Sequence, residues 1–424
     1  MSFGNTRHLV FIIALLGTLL VYIIISNVFQ FTQPAPLDFN DTRRHTATEK
    51  RISSYVLILA QPRTGSSFLG QLFNQHPGVF YLYEPIHPFS MFQTLNYITE
   101  KGHATLVASF LRSLSRCSLN GFQDYFSFIS HAGLSSPHFR LSSKSLSTPP
   151  LCKSEATTFD SQSEILKKCP PLNAKTVSLV CASKRFVAAK ILTPRLPEVT
   201  LKGLFEQFPS QTRTQIKIIQ LVRDPRAMVW SRIKMGLIER GIKKNNTRTE
   251  YSNKKQISTF QPLRGRNPAT LDHNFVKQVK LLCNRMTKDV NISLRLSSTR
   301  SANQYRIVRY EELASNTLIF ARKIFEFTGI DFALEVKEWL RRNRLFDKNE
   351  SSAGERSYST SNRNMSVTLN SWRKNLSYLE TFVIDKECAY FMQNFGYKFI
   401  DNVDVLTNIS ISLLQPLRTS FYTV

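Results

Sequence analysis

The chain contains 424 residues, of which 42% are hydrophobic, so it is long enough to bury a core without metal or disulfide support. Its 56 Lys and Arg residues outnumber its 30 Asp and Glu residues, and the formal net charge at pH 7 is +26. A charge of this sign attracts polyanions, such as nucleic acids or sulfated and carboxylated glycans, and excludes polycationic partners.

The N-terminus predicts a membrane anchor. Residues 9–29 are 21 consecutive residues without a charge, close to the roughly 20 that a helix needs to cross a bilayer. The run exceeds the signal-peptide core of about 7–15 residues, and no A-x-A-like cleavage site follows it. We therefore predict an uncleaved signal anchor rather than a buried core helix, with residues 1–8 as a cytosolic tail. Residues 30–52 would form a stem, and residues 53–424 a lumenal body.

Two further features agree with a lumenal location. N-glycosylation sequons recur along the chain, and each needs the secretory lumen to be used. The six cysteines form an even set, which predicts disulfides but leaves their pairing open. No C-x-x-C or H-x-x-x-H spacing occurs, so a metal site is not expected. The sequons begin at Asn40, Asn245, Asn291, Asn349, Asn364, Asn375 and Asn408, and the cysteines are Cys117, Cys152, Cys169, Cys181, Cys283 and Cys388.

A phosphate-binding turn is predicted near the start of the body. The apolar run at residues 55–60 is typical of a buried strand, and the turn at residues 61–67 follows it. This turn combines Arg63, one glycine at Gly65 and small hydroxyl residues, and it leads into a helical pattern whose first backbone N–H groups can bind phosphate. A second strand is predicted at residues 79–83. Strand, turn, helix and strand form a βαβ unit, which predicts a parallel sheet.

The first turn differs from two familiar nucleotide-binding motifs. A Walker A loop, G-x-x-x-x-G-K-[ST], needs a second glycine and a lysine, so an ATP or GTP hydrolase is not expected. A Rossmann turn needs G-x-G-x-x-G, and only Gly65 is present. What remains is a phosphate turn in which Arg63 stands in place of the Walker lysine.

A second anion-binding turn follows the apolar run at residues 216–222. Arg223 offers a forked guanidinium, and Ser231, eight residues further on, offers a hydroxyl. The two turns together predict one ligand with two separate phosphate groups. The alternative for residues 223–226 alone is a surface turn with a local ion pair.

The rest of the body shows a similar alternation. Further strands are predicted at residues 186–189 and 305–309, each followed by a helical pattern. Residues from about 130 to 176 are rich in Ser, Thr, Pro and Lys, and they predict a surface insertion that disulfides hold in place, without chemistry of its own. No internal repeat divides the body, so we expect one α/β domain.

The sequence around both turns resembles the Golgi carbohydrate 6-O-sulfotransferases, which act on galactose, N-acetylglucosamine or N-acetylgalactosamine. The likeness spans residues 55 to about 400, and within it the block GQLFNQH at residues 70–76 looks most like the branch acting on galactose in keratan sulfate. The resemblance implies the sulfotransferase fold, a P-loop-like parallel sheet flanked by helices, in a single-pass type II protein of the Golgi membrane. The matching blocks are RTGSSFLGQLFNQ and FYLYEP within residues 57–85, VAAK at 187–190, IQLVRDPR at 219–226, VRYEEL at 308–313 and SWR at 371–373.

The resemblance also implies the donor, 3′-phosphoadenosine 5′-phosphosulfate, with no metal. The first turn would hold the phosphosulfate, with Arg63 neutralising charge on the leaving phosphate, and the second turn would hold the 3′-phosphate. Tyr310 and Trp372 would stack on adenine, with Arg373 near a phosphate, although both aromatics fit core positions equally well. The implied donor-binding residues are Gln61, Pro62, Arg63, Thr64, Gly65, Ser66, Ser67, Arg223, Ser231, Tyr310, Trp372 and Arg373.

Transfer to a sugar also requires a base that accepts the hydroxyl proton, and such a base contributes about 10²–10⁴ in rate. Glu84 is the candidate, because it ends the second strand at the edge where open α/β sheets bind ligands. Lys190 resembles a lysine that contacts the bridging oxygen or the acceptor in related sulfotransferases, although it also fits an ordinary surface position. The alternative for Glu84 is a strand-end carboxylate that forms a salt bridge to Arg63 or caps a turn, and His76 and His87 are the competing bases.

These observations predict an enzyme that transfers a sulfuryl group to the 6-hydroxyl of a sugar in a glycan such as keratan or chondroitin sulfate. One alternative is a membrane-anchored glycan-binding protein of the same fold without turnover. Another is a lumenal glycan kinase, which would need metal-binding carboxylates near the first turn. Glycans rather than nucleic acids are the expected partners, and the sequence leaves a homo-oligomer open.

Overall fold

The computed structural model describes residues 52–130, 137–158, 160–197, 214–241, 271–300, 302–346, 369–418 and 423. The predicted anchor at residues 9–29 and almost all of the predicted stem lie outside these ranges. Within them, no helix combines the length and apolar character of a bilayer-spanning segment.

A five-stranded sheet forms the centre of the domain. Every neighbouring pair of strands is parallel, and the strand order is β2-β3-β1-β4-β5. The predicted parallel sheet is therefore confirmed, and all five strands end at the same edge. The strands are β1 Ser54–Ala60, β2 Val79–Tyr83, β3 Phe186–Leu192, β4 Gln215–Val222 and β5 Tyr305–Arg309.

Helices flank this sheet. The helices are α1 Ser66–Asn74, α2 His87–Thr94, α3 Glu100–Ser115, α4 Gln123–Ser130, α5 Pro137–Leu141, α6 Lys144–Ser147, α7 Gln162–Lys168, α8 Ala174–Ser183, α9 Pro225–Ile233, α10 His273–Thr299, α11 Tyr310–Ser315, α12 Thr317–Thr328, α13 Leu334–Phe346, α14 Tyr378–Glu387, α15 Ala389–Phe395 and α16 Val403–Thr407. Short 3-10 helices span Asn120–Phe122, Thr193–Arg195 and Ser371–Lys374.

Strand β1 lies at the centre of the sheet because it is apolar on both faces. All seven of its residues are buried. Tyr55, Leu57 and Leu59 belong to one apolar cluster, which includes residues of α9, α10 and α14, whereas Val56 and Ile58 belong to a second cluster with residues of α1, α11 and α12. A continuous apolar run is what a parallel strand covered on both faces requires.

Strand β3 separates β1 from β2, so the end of β2 is not directly beside the first turn. Lys190, which the sequence places after a strand ending at residue 189, lies inside β3. It pairs with Ile58 on one side and Tyr83 on the other. The strand is longer than predicted because the apolar residues Ile191 and Leu192 continue it.

The predicted insertion covers the outer edge of β2. The backbone N–H groups of Tyr81 and Tyr83 donate to the hydroxyls of Ser145 at 3.1 Å and Ser143 at 2.9 Å, respectively. The backbone N–H of Lys144 donates to the Asn74 side chain at 2.8 Å. An edge strand with unsatisfied donors invites aggregation, so this segment completes the sheet by satisfying them.

All six cysteines form disulfides, which confirms that prediction. The pairs are Cys117–Cys181, Cys152–Cys169 and Cys283–Cys388. The second pair lies within the insertion, and the third joins α10 to the end of α14 across a sequence separation of 105 residues.

Candidate active site

The first turn has the backbone shape of a phosphate loop. It joins β1 to α1, and Gly65, at φ 91°, occupies the position before the helix. A Cβ atom at Gly65 would lie 2.4 Å from the Tyr310 ring, so only glycine fits there. No side chain caps α1, and the first N–H groups of a helix, here those of Ser66 and Ser67, have no acceptor within it. This helix start is therefore able to bind an anion.

The two predicted turns lie side by side at the ends of the neighbouring strands β1 and β4. The Arg223 guanidinium donates from Nη1 to the backbone oxygen of Arg63 at 3.1 Å. In return, the Arg63 side chain donates from Nε to the Ser231 hydroxyl at 3.0 Å. Arg63 itself has φ 77°, a left-handed conformation that is uncommon for a residue with a side chain. The second turn thus holds the first in shape.

Arginines converge on the first turn from other elements as well. Arg232 of α9 donates from Nη2 to the Pro62 oxygen at 3.4 Å. Burial, together with the charges of Arg285 and Arg63, lowers the pKa of Arg232 to about 10. Like charges repel one another when they are brought together in a partly buried site, so this grouping favours a bound anion.

Tyr310 holds both turns. Its ring packs against Gly65, as the close approach to that glycine requires. The Arg223 guanidinium lies over the same ring, 4.2 Å from its centroid. Tyr310 is buried, and these contacts with the protein differ from the predicted role of an adenine-stacking residue.

Trp372 and Arg373 also differ from their predicted roles. Trp372 is buried in the core, and the Arg226 guanidinium lies 4.7 Å from its ring centroid. Arg373 donates to four backbone oxygens within residues 405–411. The guanidinium is used to hold the C-terminal segment, because its donors already have these carbonyl partners, and we leave both residues out of the proposed donor site.

The local ion pair considered for the second turn also exists, next to Arg223. Arg226 is fully buried and donates to both carboxylate oxygens of Asp224, at 2.9 and 2.7 Å. The Asp224 N–H donates to Glu311 at 3.0 Å. The turn therefore combines a structural pair, Asp224 with Arg226, and a guanidinium at Arg223 that faces the first turn.

Glu84 lies across β3 from the first turn in a buried cluster of charges. One carboxylate oxygen accepts from Lys190 Nζ, and the other accepts from Arg195 Nη1. The alternative of a strand-end salt bridge is thus present, but its partners are Lys190 and Arg195 rather than Arg63. The Glu84 backbone has φ 45°, again in the left-handed region, and its N–H donates to the Lys190 oxygen at 3.0 Å.

The charges around Glu84 decide its protonation. Burial would raise the pKa of this carboxyl, but Lys190 and Arg195 outweigh burial and lower the pKa to about 2. Burial also lowers the pKa of Lys190, against the opposing effect of Glu84. The carboxylate is therefore ionised at neutral pH.

Comparison with known proteins identifies the family. Residues 53–396 match the sulfotransferase domain model. Carbohydrate sulfotransferase 1 of Danio rerio is 31% identical over 373 residues, which cover 85% of this chain and 82% of that protein. The chain belongs to the carbohydrate sulfotransferase family.

A second relative agrees with this assignment. Carbohydrate sulfotransferase 3 of Mus musculus is 31% identical over 387 residues, or 90% of this chain and 74% of that protein. Among solved structures, the sulfotransferase domain of a Synechococcus olefin synthase aligns with 82% of this chain and 98% of its own, at 14% identity and a TM-score of 0.39. The family match confirms both the resemblance found in the sequence and the predicted sulfotransferase fold.

The two histidines considered as bases in this sulfotransferase occupy different places. His76 is buried; its Nδ1 accepts from the Gly78 N–H and its Nε2 lies 3.0 Å from the Asp331 backbone oxygen. It precedes β2, at the opposite end of that strand from Glu84. His87 lies beside the cluster, with Nδ1 3.8 Å from a Glu84 oxygen. Burial and the charge of Arg195 lower the pKa of His87 to about 4, so it is neutral at pH 7.

Arg195 is a site residue that the sequence analysis missed. It lies in the short 3-10 helix directly after β3, at the carboxyl edge of the sheet. The strand-end argument that selects Glu84 also selects Arg195, once β3 is seen to end at Leu192. Arg195 was missed because the sequence predicted that this strand ends at residue 189, three residues before its observed end at Leu192.

A cavity of about 480 Å³ adjoins this cluster. Its volume falls in the range of about 300–1,000 Å³ that is typical of small-molecule sites. Its lining includes His87, Ser90, Thr94, His103, Pro194 and Arg195. Arg195 therefore donates to the Glu84 carboxylate and also lines the cavity beside it.

Asp289 of α10 connects the two parts of the site. Its side chain interacts with Gln61 of the first turn and with Thr193 at the end of β3. Burial raises the pKa of this carboxyl to about 7. Across the described ranges, no group of three or more His, Cys, Asp and Glu side chains is arranged to hold a metal ion.

Proposed function

We propose that the chain transfers a sulfuryl group from 3′-phosphoadenosine 5′-phosphosulfate to the 6-hydroxyl of a sugar in a glycan, as a type II protein of the Golgi membrane anchored by residues 9–29. The observation that carries this proposal is the contact between the two turns, Arg223 to the Arg63 oxygen at 3.1 Å, on the sheet edge that also bears Glu84. The relatives named carbohydrate sulfotransferase 1 and 3 support a carbohydrate acceptor. From the sequence block at residues 70–76, we propose galactose as the first sugar to test.

The residues at the two turns suit a nucleotide with phosphate at both ends. The start of α1 offers backbone N–H groups to the phosphosulfate, and Arg63 adds a cation. Arg223 and Ser231 offer a fork and a hydroxyl to the 3′-phosphate, which ordinary nucleotides lack. The converging charges of Arg63, Arg232 and Arg285 favour such an anion.

The donor, when bound, supplies a sulfuryl group whose bond to the 5′-phosphate oxygen breaks as the acceptor oxygen bonds to sulfur. Arg63 and the start of α1 stabilise the charge that the departing phosphate gains. Glu84 takes the proton of the sugar hydroxyl on its carboxylate. Lys190 lies on β3, between the first turn and Glu84, and the charge of Arg63 contributes to lowering the pKa of Lys190.

The ion pairs of Glu84 limit it as a base. A general base is most effective when its pKa lies near the operating pH. The pKa of Glu84, about 2, lies far below it. At least one ion pair must therefore weaken once the acceptor is bound. The same ion-paired Glu84 would also suit a glycan-binding protein without turnover, which is the second candidate.

Incubation of the purified full-length chain with sulfur-labelled donor and a glycan panel tests this proposal. The panel contains galactose-terminated, N-acetylglucosamine-terminated and N-acetylgalactosamine-containing oligosaccharides. We expect label on a 6-hydroxyl of at least one of them. Retention of glycan without label would favour the binding protein, and labelling that instead requires ATP with magnesium would favour a glycan kinase.

A further inference from the structure

The cavity beside Glu84 contains a single kind of charge among its described lining residues. Its two histidines are neutral at pH 7, because burial lowers the pKa of both His87 and His103. Arg195 is the remaining ionisable residue of the described lining. An acceptor that enters this space therefore meets one guanidinium among neutral polar and apolar groups.

The charges of the cluster do not balance. Glu84 contributes one negative charge, whereas Lys190 and Arg195 contribute two positive charges. The groups that face Glu84 from the other elements, Tyr83 of β2, His87 of α2 and His138 of α5, add no charge at neutral pH, since burial raises the pKa of Tyr83 and lowers those of both histidines. One excess positive charge remains, and a single negative charge in the cavity would neutralise it.

The two cations differ in their access to the cavity. The Lys190 side chain is 2% exposed, and its ammonium lies over the Tyr83 ring, 4.2 Å from the centroid. The Arg195 side chain is 26% exposed and lines the cavity. Only one oxygen of Glu84 depends on Arg195, so this contact can be given up while Lys190 keeps the other oxygen satisfied.

We propose that Arg195 selects acceptors that carry a monoanionic group, a sulfate ester or a carboxylate, beside the reacting sugar, and that it exchanges Glu84 for this group when the acceptor binds in the cavity. The exchange replaces one ion pair by another, so no charge is left buried and unpaired. The inference rests on the proposed function, because it treats Glu84 as the base.

The exchange also accounts for how Glu84 becomes a base. With Arg195 on the acceptor, Glu84 keeps Lys190 and loses one of the two positive charges that hold its proton affinity down. Its affinity for the hydroxyl proton rises only when an anionic acceptor is in place. A neutral acceptor leaves Arg195 on Glu84 and is a poorer substrate.

The test uses the full-length chain saturated with adenosine 3′,5′-bisphosphate and three size-matched oligosaccharides, one sulfated, one containing a uronic acid and one neutral. Calorimetry measures their affinities for the wild type, Arg195→Gln, Arg195→Lys and the control Arg185→Gln, which changes an exposed arginine at the opposite end of β3. We expect at least tenfold tighter binding of one or both anionic oligosaccharides by the wild type and the control. Arg195→Gln should reduce this preference to within about twofold, and Arg195→Lys should keep part of it. The affinity for adenosine 3′,5′-bisphosphate should stay unchanged.

Preference for one anionic oligosaccharide alone identifies sulfate or carboxylate as the natural group. Equal preference for neutral and anionic oligosaccharides in the wild type, or an unchanged preference in Arg195→Gln, would overturn the inference. If Arg195→Gln fails to fold, a structure of the wild type with a bound anionic oligosaccharide decides, because the anion must then contact the Arg195 guanidinium. Binding with this pattern but without label transfer would refute the proposed function and still support the anion contact.

Discussion

The site has a donor side, formed by the two turns, and an acceptor side, formed by Glu84 with Lys190 and Arg195. The two sides differ in how their charged side chains are paired. Around the first turn, Arg223 and Arg232 donate to backbone oxygens, and Arg63 donates to a hydroxyl. Beyond β3, Lys190 and Arg195 both donate to one carboxylate. The donor side gathers like charges for an anion that comes from outside, whereas the acceptor side already holds an anion of its own.

This difference suggests separate tasks for the two sides. Preorganised cations bind and stabilise a ligand whose charge is fixed, such as a phosphate. The Glu84 carboxylate, in contrast, has two cationic partners, and it can give up one of them and keep the other. Variants on the donor side should therefore affect donor affinity, and variants on the acceptor side should affect turnover.

Glu84→Gln gives the largest expected effect and tests the acceptor side. We expect turnover to fall by about 10²–10⁴, the usual contribution of a positioned base, while the Kd of adenosine 3′,5′-bisphosphate stays within about twofold of the wild type. Radiolabel transfer and calorimetry measure the two quantities, and a melting curve checks that Lys190 tolerates the loss of its partner. Equal losses of donor affinity and turnover would remove Glu84 from the role of base.

Arg223→Ala should affect the donor side. It removes a fork that can hold the 3′-phosphate, and hydrogen bonds to charged groups contribute about 1.5–3 kcal/mol, so we expect donor affinity to fall by roughly 10–150-fold. Arg223→Lys, which keeps the charge and loses the fork, should lie between this variant and the wild type. The expectation fails if the alanine variant binds adenosine 3′,5′-bisphosphate as tightly as the wild type.

Tyr310→Leu should also lower donor affinity, but by less than Arg223→Ala. The ring packs on Gly65 and receives the Arg223 guanidinium, and a contact between a cation and an aromatic face is worth about 0.5–2 kcal/mol. We expect donor affinity to fall by about 2–30-fold in Tyr310→Leu and to stay unchanged in the matched control Tyr310→Phe. A loss of equal size in Tyr310→Phe would assign the effect to the hydroxyl instead of the ring.

Asp289→Asn concerns the connection between the two sides and should change stability. The pKa of this carboxyl is about 7 in the folded chain and about 3.9 when unfolded, so wild-type stability falls as pH rises from about 4 to 7. The asparagine side chain does not ionise, so the stability of the variant does not fall in this way as pH rises. We expect it to match the wild type at pH 4 and to melt about 2–5 °C higher at pH 8. A difference in Tm that is the same at both pH values would contradict this expectation, and Glu326→Gln, on an exposed position of α12, is the control.

Local sequence was sufficient for the elements whose signals are contiguous. The first strand, its turn and α1 follow one another in the chain, so the apolar run predicts β1 within one residue, and the turn and the helical pattern predict a helix directly after it. The partners of Glu84 could not be read in this way. They depend on β3 lying between β1 and β2, and strand order is set by packing of distant segments rather than by a local pattern.

Tyr310 shows a second limit of the same kind. Its position in the VRYEEL block predicts proximity to the donor, and the residue does lie between the two turns. It also packs against Gly65, which lies 245 positions earlier in the sequence. An aromatic side chain at a strand end looks the same in a sequence whether it meets a ligand or a glycine.

The match to the sulfotransferase domain ends at residue 396, yet the chain beyond it is tied back to the site. Arg309, which directly precedes Tyr310, donates to the Gln415 oxygen at 2.6 Å, and Arg373 binds the carbonyls within residues 405–411. Shortening the protein at the family boundary would remove these acceptors and loosen the residue that holds both turns. Affinity tags and trimming therefore belong at the other terminus in any preparation intended for crystallisation.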